Sequence, residues 1–187
     1  MRIIGGIHKG RRLKPPESRN IRPTTDRMRE TLFNLLQNSL GLCFADCHVL
    51  DAFAGTGALG LEALSRGAAH VTFVEKNPRA LRLLKENVAL LKAEKNTTVK
   101  STDACSIKRP DRPFALVFLD PPYHRDLLRP ALDNLHTQQA LTPNAYIVAE
   151  YSSKEDIVFY EFLEKISERI YGDSKVSIFR YHPHSQL

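Results

Sequence analysis

The sequence lacks several features that would point to a secreted, membrane or zinc-binding protein. Its 187 residues include no Trp and an odd count of three Cys. No apolar run is long enough to cross a bilayer, and the chain opens on a basic stretch rather than an apolar signal segment. We therefore expect a cytoplasmic protein of one domain with reduced thiols and no membrane association.

A metal centre is also not expected. Cys43, Cys47 and His48 lie close together, but no second pair of ligands follows at the spacing of a zinc finger. The cluster directly precedes a predicted strand, so we interpret the cysteines as core thiols.

Acidic residues are scarce in one part of the chain only. Residues 1–30 contain nine Lys or Arg and three Asp or Glu, whereas the other 157 residues carry no net charge. A basic segment on a neutral body is typical of a nucleic-acid-binding protein. A solvated terminus is the alternative, but apolar residues and glycines are interleaved with the charges and predict an ordered hairpin. We name residues 1–22 the basic head, and we expect residues 23–187 to form the catalytic core of the same domain.

Strand and helix signals alternate after the basic head. The predicted strands are 48–51, 70–75, 98–101, 114–119 and 145–151, and Gly172 to Ser174 form the turn of a final hairpin. Helical spacing of apolar residues predicts helices between these strands. We therefore predict an α/β fold: a doubly wound, mostly parallel sheet with an antiparallel carboxyl-terminal hairpin and a basic amino-terminal hairpin.

Three predicted strand ends carry residues suited to a nucleotide. Asp51 precedes a glycine loop with Gly55 and Gly57, where backbone N–H groups can approach a ligand closely. Glu75 ends the second strand and is placed to accept hydrogen bonds from ribose hydroxyls, and Asp103 follows the third strand. Each acid taken singly can instead be a helix cap or a solvated strand end. Taken together, they predict a nucleotide-type ligand at this edge of the sheet.

The fourth strand ends in a motif that suits an amine substrate. Asp120 follows a buried apolar run, and Pro121 and Pro122 force the chain to turn there. An acceptor is thus presented at the strand end, with the ring of Tyr123 beside it. A carboxylate next to an aromatic ring favours a nucleobase or amide nitrogen. An ordinary surface turn is the alternative interpretation.

These motifs resemble the Rossmann-like S-adenosylmethionine-dependent methyltransferases. More narrowly, the chain is similar to the RsmD family, which methylates the exocyclic N2 of a guanine in small-subunit ribosomal RNA. The likeness covers residues 1 to about 181. It is carried by residues 2–6, 9–11, 22–30, 51–67, 120–123 and 171–173. Ala52 and Thr56 are mild departures, since the family more often has Leu and Ser there.

The resemblance implies S-adenosylmethionine as cofactor and ribosomal RNA as partner. In the implied site, the Gly55–Gly57 loop borders the methionine part, Glu75 takes the ribose and Asp103 faces the adenine. The implied cofactor set is completed by Asp51, Ala54, Ala104 and Thr24. Asp120 and the Pro121 carbonyl would accept hydrogen bonds from the target amine, and Tyr123 would stack on the flipped base. The candidate RNA-binding residues are Arg2, Lys9, Arg11, Arg12, Lys14 and Arg22.

Other functions share parts of this pattern. The Asp-Pro-Pro-Tyr element also occurs in enzymes that methylate adenine N6 or a protein glutamine, and a nucleotide- or RNA-binding module without catalysis is a further alternative. The sequence does not name the target nucleotide, or say whether naked RNA or an assembled or assembling subunit is the substrate. A monomer is the default expectation, and the role of His124 is open.

Overall fold

The computed structural model describes residues 1–16, 26–122, 125–155 and 160–183. Its centre is a seven-stranded sheet in the order β3-β2-β1-β4-β5-β7-β6. The strands are β1 (His48–Ala52), β2 (His70–Val74), β3 (Thr97–Lys100), β4 (Phe114–Leu119), β5 (Leu141–Ser152), β6 (Leu163–Tyr171) and β7 (Ser174–Tyr181). The helices are α1 (Asp26–Asn34), which continues as a π-helical turn (Leu35–Ser39), α2 (Ala58–Ser65), α3 (Pro78–Leu90) and α4 (Leu128–Thr137).

The order of the strands positions the site. Strands β1 to β5 pair in parallel, and β7 joins β5 and β6 by antiparallel pairing. The chain runs outward from β1 to β3 and then returns to the other side of β1 as β4, so β1 and β4 flank a topological switch point. Ligands of such sheets bind outside the carboxyl ends of the strands at this point. The predicted doubly wound fold with an antiparallel carboxyl-terminal hairpin is confirmed.

Local sequence explains where the elements begin. Asn77 caps α3 by accepting hydrogen bonds from the N–H groups of Arg79 and Ala80, and Pro78 occupies the first helical position, where no N–H donor is needed. Strand β4 is entirely apolar and five of its six residues are buried, as expected for a sheet that is covered on both faces. Strand β5 begins before the predicted 145–151, since Leu141 already pairs with Phe114 ahead of a register shift.

The described part of the basic head, residues 1–16, is a short hairpin that packs on the body. Its two arms share one antiparallel bridge, between Arg2 and Arg12, and Ile3 N–H donates to the Arg11 carbonyl at 2.9 Å. Ile3 and Leu13 are buried in the same core cluster as the apolar side chains of α1 and α2. The predicted boundary between residues 22 and 23 lies outside the described residues. None of the helices in the described ranges combines the length and apolar character that a bilayer crossing requires.

Candidate active site

Backbone hydrogen bonds shape the loop between β1 and α2. Ala54 N–H donates to the Val74 carbonyl at 3.0 Å, and Gly57 N–H donates to the Ala54 carbonyl at 2.7 Å. Gly57 has a φ of 79°, and a Cβ built on it would lie 2.3 Å from Cδ1 of Leu84. Both backbone conformation and packing therefore require glycine at this position.

The other two glycines of this region face different surroundings. A Cβ on Gly60 would lie 2.4 Å from the Phe73 ring, so this glycine lets α2 pack closely on the sheet. A Cβ on Gly55 would meet a single atom within 4 Å, the Phe53 oxygen at 4.0 Å. The backbone at Gly55 thus borders open space, which leaves room for a ligand to approach it closely.

Asp51 lies beneath this loop and holds the start of α2. Its side chain is 3% exposed, and its Oδ2 accepts a hydrogen bond from Gly60 N–H at 2.9 Å. Burial raises the pKa of Asp51 to about 7; the Gly60 N–H opposes this rise, and the negative charge of Glu75 adds to it. The structure thus shows a supporting role for Asp51, and its contact with a cofactor stays a prediction.

Glu75 connects the end of β2 to the glycine loop. One carboxylate oxygen accepts from Gly55 N–H at 2.8 Å, and the other accepts from Asn77 N–H at 2.7 Å. Both oxygens therefore have fixed positions, and each keeps a lone pair for a further donor.

Asp103 is an exposed carboxylate after β3 that already has a cationic neighbour. Lys76 donates to it at 2.8 Å, and Cys105 N–H donates to its other oxygen at 2.9 Å. Lys76 holds the pKa of Asp103 below its usual range, so this group is ionised at neutral pH. Ala104, the next residue of the predicted set, is buried behind it.

Asp120 directly follows β4, at the carboxyl end of the strand that pairs with β1. Its side chain reaches solvent, whereas Pro121 is buried. Crowding by protein atoms raises the pKa of Asp120 well above its usual range, and the negative charges of Glu150 and Asp51 add to the rise. The structure thus brings Asp120 to the same sheet edge as Asp51. Four residues of the prediction, Tyr123, His124, Thr24 and Arg22, lie outside the described residues.

The basic head is fastened to α2 through a buried carboxylate. Glu62 is 0% exposed and accepts hydrogen bonds from Ile4 N–H at 2.7 Å and Gly5 N–H at 2.8 Å. Arg66 Nε donates to the same side chain at 2.8 Å. One turn away, Ser65 Oγ accepts from His8 N–H at 2.9 Å. These contacts fix the backbone of the head on the body.

The head also contacts α1 and α3. The buried guanidinium of Arg29 on α1 donates to the Arg2 carbonyl at 2.7 Å. Asn87 on α3 accepts from Lys14 N–H at 2.8 Å and donates to the Thr56 carbonyl at 3.0 Å. Asn87 therefore ties the head to the glycine loop.

All five described cations of the predicted RNA-binding set are exposed, namely Arg2, Lys9, Arg11, Arg12 and Lys14. Arg2 forms an ion pair with Asp26, and Lys14 forms one with Glu86. The fixed backbone of the head thus presents cationic side chains to solvent.

The cysteines correct one expectation. Cys47 is buried, and burial raises the pKa of its thiol to about 11, so it is the predicted core thiol. Cys43 is exposed in the loop before β1, so the prediction of a core position is wrong for this residue. The described parts of the chain contain no cluster of three or more His, Cys, Asp or Glu suited to a metal ion.

Sequence reasoning missed Glu62, Arg66 and Asn87. Glu62 and Asn87 bind parts of the head that lie far away in the chain, so periodicity does not reveal them, and Arg66 acts only as a partner of Glu62. Glu62 nevertheless carried a signal, since it is the lone charged residue of the helix ALGLEALS, whose other residues except Ser65 are apolar. A charge at such a position is buried and needs partners.

Comparisons with known proteins identify the family and the overall fold. The family described as Conserved hypothetical protein 95 matches residues 1–180. The Escherichia coli protein named Ribosomal RNA small subunit methyltransferase D is 43% identical over 150 residues, which cover 80% of this chain and 74% of that protein. The Haemophilus influenzae protein of the same name is 38% identical over 176 residues, covering 92% and 89%. A solved Escherichia coli structure is 36% identical, covers 98% of this chain and 99% of that chain, and has a TM-score of 0.85.

The fold and the site define a Rossmann-like methyltransferase of class I. The match of the family model over nearly the whole chain identifies one family within this class. The protein belongs to the family described as Conserved hypothetical protein 95, the RsmD family, and the resemblance seen in its motifs is confirmed.

The buried acid Asp51 generates a prediction about stability. Between about pH 4 and pH 7 the unfolded chain ionises Asp51 while the folded protein keeps it neutral, so its burial costs stability as pH rises. The cost reaches at most about 4 kcal/mol above pH 7. Asp51→Asn removes this cost, so we expect the variant to gain stability over the wild type between pH 5 and pH 8 in urea unfolding.

The matched control is Asp46→Asn, which alters an exposed acid in the loop before β1. The free energies of unfolding of the Asp51→Asn and Asp46→Asn proteins should depend differently on pH. An Asp51→Asn protein whose stability follows the wild-type pH profile would contradict the burial of an ionisable group there.

Proposed function

We propose that the protein transfers a methyl group from S-adenosylmethionine to the exocyclic N2 amine of a guanine in small-subunit ribosomal RNA. The observation that carries the proposal is the position of Asp120 and Pro121 at the switch point, beside the strand that leads into the glycine loop. The relatives named above support this RNA as the substrate. Guanine N2 as the target follows from the resemblance of the motifs to the RsmD family.

The residues at the edge of β1, β2 and β3 fit the cofactor. Glu75 is partly exposed and has lone pairs free for two ribose hydroxyls. Asp103 is an exposed acceptor suited to the adenine amine. The open space at Gly55 suits the methionine part, and Asp51, Ala54, Ala104 and Thr24 complete the proposed cofactor set.

The reaction requires little of the protein beyond orientation of the target amine. S-adenosylmethionine, when bound, supplies an electrophilic methyl group on a positively charged sulfur. The guanine amine is a weak nucleophile because its lone pair is delocalised into the ring. Asp120 and the Pro121 carbonyl would accept its two N–H bonds and so aim the lone pair, and proximity then supplies much of the rate. Tyr123 would stack on the extruded base.

The raised pKa of Asp120 suits it to take the proton that the methylated amine must lose. A carboxylate with a raised pKa is a stronger base than an ordinary one, so Asp120 can accept this proton at Oδ. The positively charged sulfur of the bound cofactor and the N–H groups of the target amine would favour the ionised form before transfer.

The exposed cations of the basic head form the proposed RNA surface, and Arg22 is included from the family resemblance. Phosphate groups attract such side chains independently of sequence, so the head would position the RNA rather than select the base. We further propose action in the cytoplasm, as a monomer, on RNA within an assembled or assembling small subunit.

The first prediction for this function concerns the cofactor. In Glu75→Gln the amide NH₂ must face the N–H of Gly55 or of Asn77, because both backbone donors now point at the carboxylate. We expect affinity for S-adenosylmethionine to fall at least about tenfold, as measured by calorimetry. Glu94→Gln, an exposed acid beyond α3, is the control. Unchanged affinity in folded Glu75→Gln would overturn the ribose assignment.

The second prediction concerns the target amine. Asp120→Ala should lower the turnover of labelled methyl transfer to ribosomal RNA about 100-fold or more, because the amine is no longer oriented. Cofactor affinity should stay within about twofold, since this residue lies outside the proposed cofactor set. Asp111→Ala removes an exposed acid and serves as the control. Near-normal transfer by Asp120→Ala would refute its proposed role.

The third prediction concerns the RNA surface. Replacing Lys9, Arg11 and Arg12 with Gln should weaken RNA binding and flatten its salt dependence. The slope of log affinity against log salt should change by about 0.7 to 0.9 for every phosphate group that the head ceases to neutralise. The control removes three exposed charges elsewhere, Lys92, Lys95 and Lys108. Equal slopes for the two triple variants would mean that the body, and not the head, holds the RNA.

A further inference from the structure

We propose that Glu150 and Arg169 read the Watson–Crick edge of the target guanine beside Asp120, and so select guanine over other bases. This inference rests on the proposed function and adds the residues that would choose the base.

The three side chains stand in one row across the carboxyl end of β4 and the neighbouring strands. Leu119 pairs with Ala149, so the next residues, Asp120 and Glu150, are adjacent on parallel strands. Glu150 pairs with Val176 on β7, and Val176 pairs with Arg169 on β6. Across the sheet the row therefore consists of the carboxylates of Asp120 and Glu150, then the apolar side chain of Val176, and then the guanidinium of Arg169.

All three residues line one cleft that α1 covers. Leu32, Val148 and Ile178 line its buried, apolar side, and the cleft as a whole has about 30 Å³ of room, so water fits inside it but a base does not. Asp120 and Arg169 are exposed and Glu150 is half-buried, so the charged groups lie towards the mouth. A base would therefore meet the charged row at the mouth of the cleft.

The row matches guanine in chemistry and in order. The Watson–Crick edge of guanine presents the N2 amine donor, the N1–H donor and the O6 acceptor. Asp120, Glu150 and Arg169 offer acceptor, acceptor and donor in the same sequence. Neighbouring strands lie about 4.8 Å apart, and the long arginine side chain can reach across the position of Val176. Adenine offers a lone pair at N1, which would face the carboxylate of Glu150.

The charges of the row favour the same ligand. Glu150 contributes to the raised pKa of Asp120, so the two carboxylates lie close enough to repel each other. A base that donates one N–H to each carboxylate would relieve this repulsion, whereas a base with a lone pair at either position would increase it.

The test combines a substituted base in the RNA with variants of the protein. The methylated guanine is first mapped, and a synthetic fragment of the ribosomal RNA is then made with 2-aminopurine at that position. This analogue keeps the N2 amine but has a lone pair at N1 and lacks O6. We expect the wild-type protein to prefer guanine by about 100-fold or more in kcat/KM.

Glu150→Gln and Arg169→Met should change this preference in different ways. The amide of Glu150→Gln can donate to N1 of 2-aminopurine, so kcat/KM for the analogue should rise while that for guanine falls, and the preference should shrink about tenfold or more. Arg169→Met should slow the reaction with guanine about tenfold and leave the analogue unchanged, because the analogue has no O6. Glu94→Gln is again the matched control.

If the two residues had a purely structural role, each variant would lower kcat/KM for guanine and for 2-aminopurine by the same factor. That result would overturn the inference. If one variant does not fold, the substrate ratio of the other decides. Failure of the proposed function would look different, since the mapping would then find no methylated guanine at all.

Discussion

The buried carboxylate of Glu62 is the contact on which the arrangement of the two functional surfaces depends. The fully buried side chain of Glu62 accepts hydrogen bonds from two backbone N–H groups of the basic head and from the Nε of Arg66. Its helix, α2, starts at the glycine loop and ends beneath the head, so one rigid element sets the distance between them. Without this acceptor two partly buried backbone donors of the head would lose their partner, at a cost of up to about 1–3 kcal/mol each.

The charges of the molecule are separated in a way that suits its proposed ligands. The head presents cations on a fixed backbone, where phosphate groups can bind. The carboxyl edge of the sheet instead concentrates acids: crowding by protein atoms raises the pKa of Asp120, and repulsion by Glu150 and Asp51 adds to the rise. A cationic cofactor and the N–H groups of a base would relieve this repulsion, so the edge favours these ligands before any shape complementarity is considered.

The features that follow from strand order could be predicted from the sequence. Alternating strands and helices place Asp51, Glu75 and Asp120 at one edge of a parallel sheet, and the structure confirms that placement. Contacts made by residues far apart in the chain were not predictable. The hydrogen bond from Ile4 N–H to Glu62 and the exposure of Cys43 are determined by packing rather than by the local sequence pattern. Glu150 lies two residues before the end of β5 and next to Asp120 in the sheet, so a search of the last residues of each strand would have found it.

The central claim is that the methyl group reaches N2 of a guanine in small-subunit ribosomal RNA. The most direct measurement incubates the purified protein with isotopically labelled S-adenosylmethionine and small ribosomal subunits from cells that lack the protein. The RNA is then digested to nucleosides and analysed by mass spectrometry. We expect the label in N2-methylguanosine. Label in a methylated adenosine, in ribosomal protein, or in no nucleoside would contradict it.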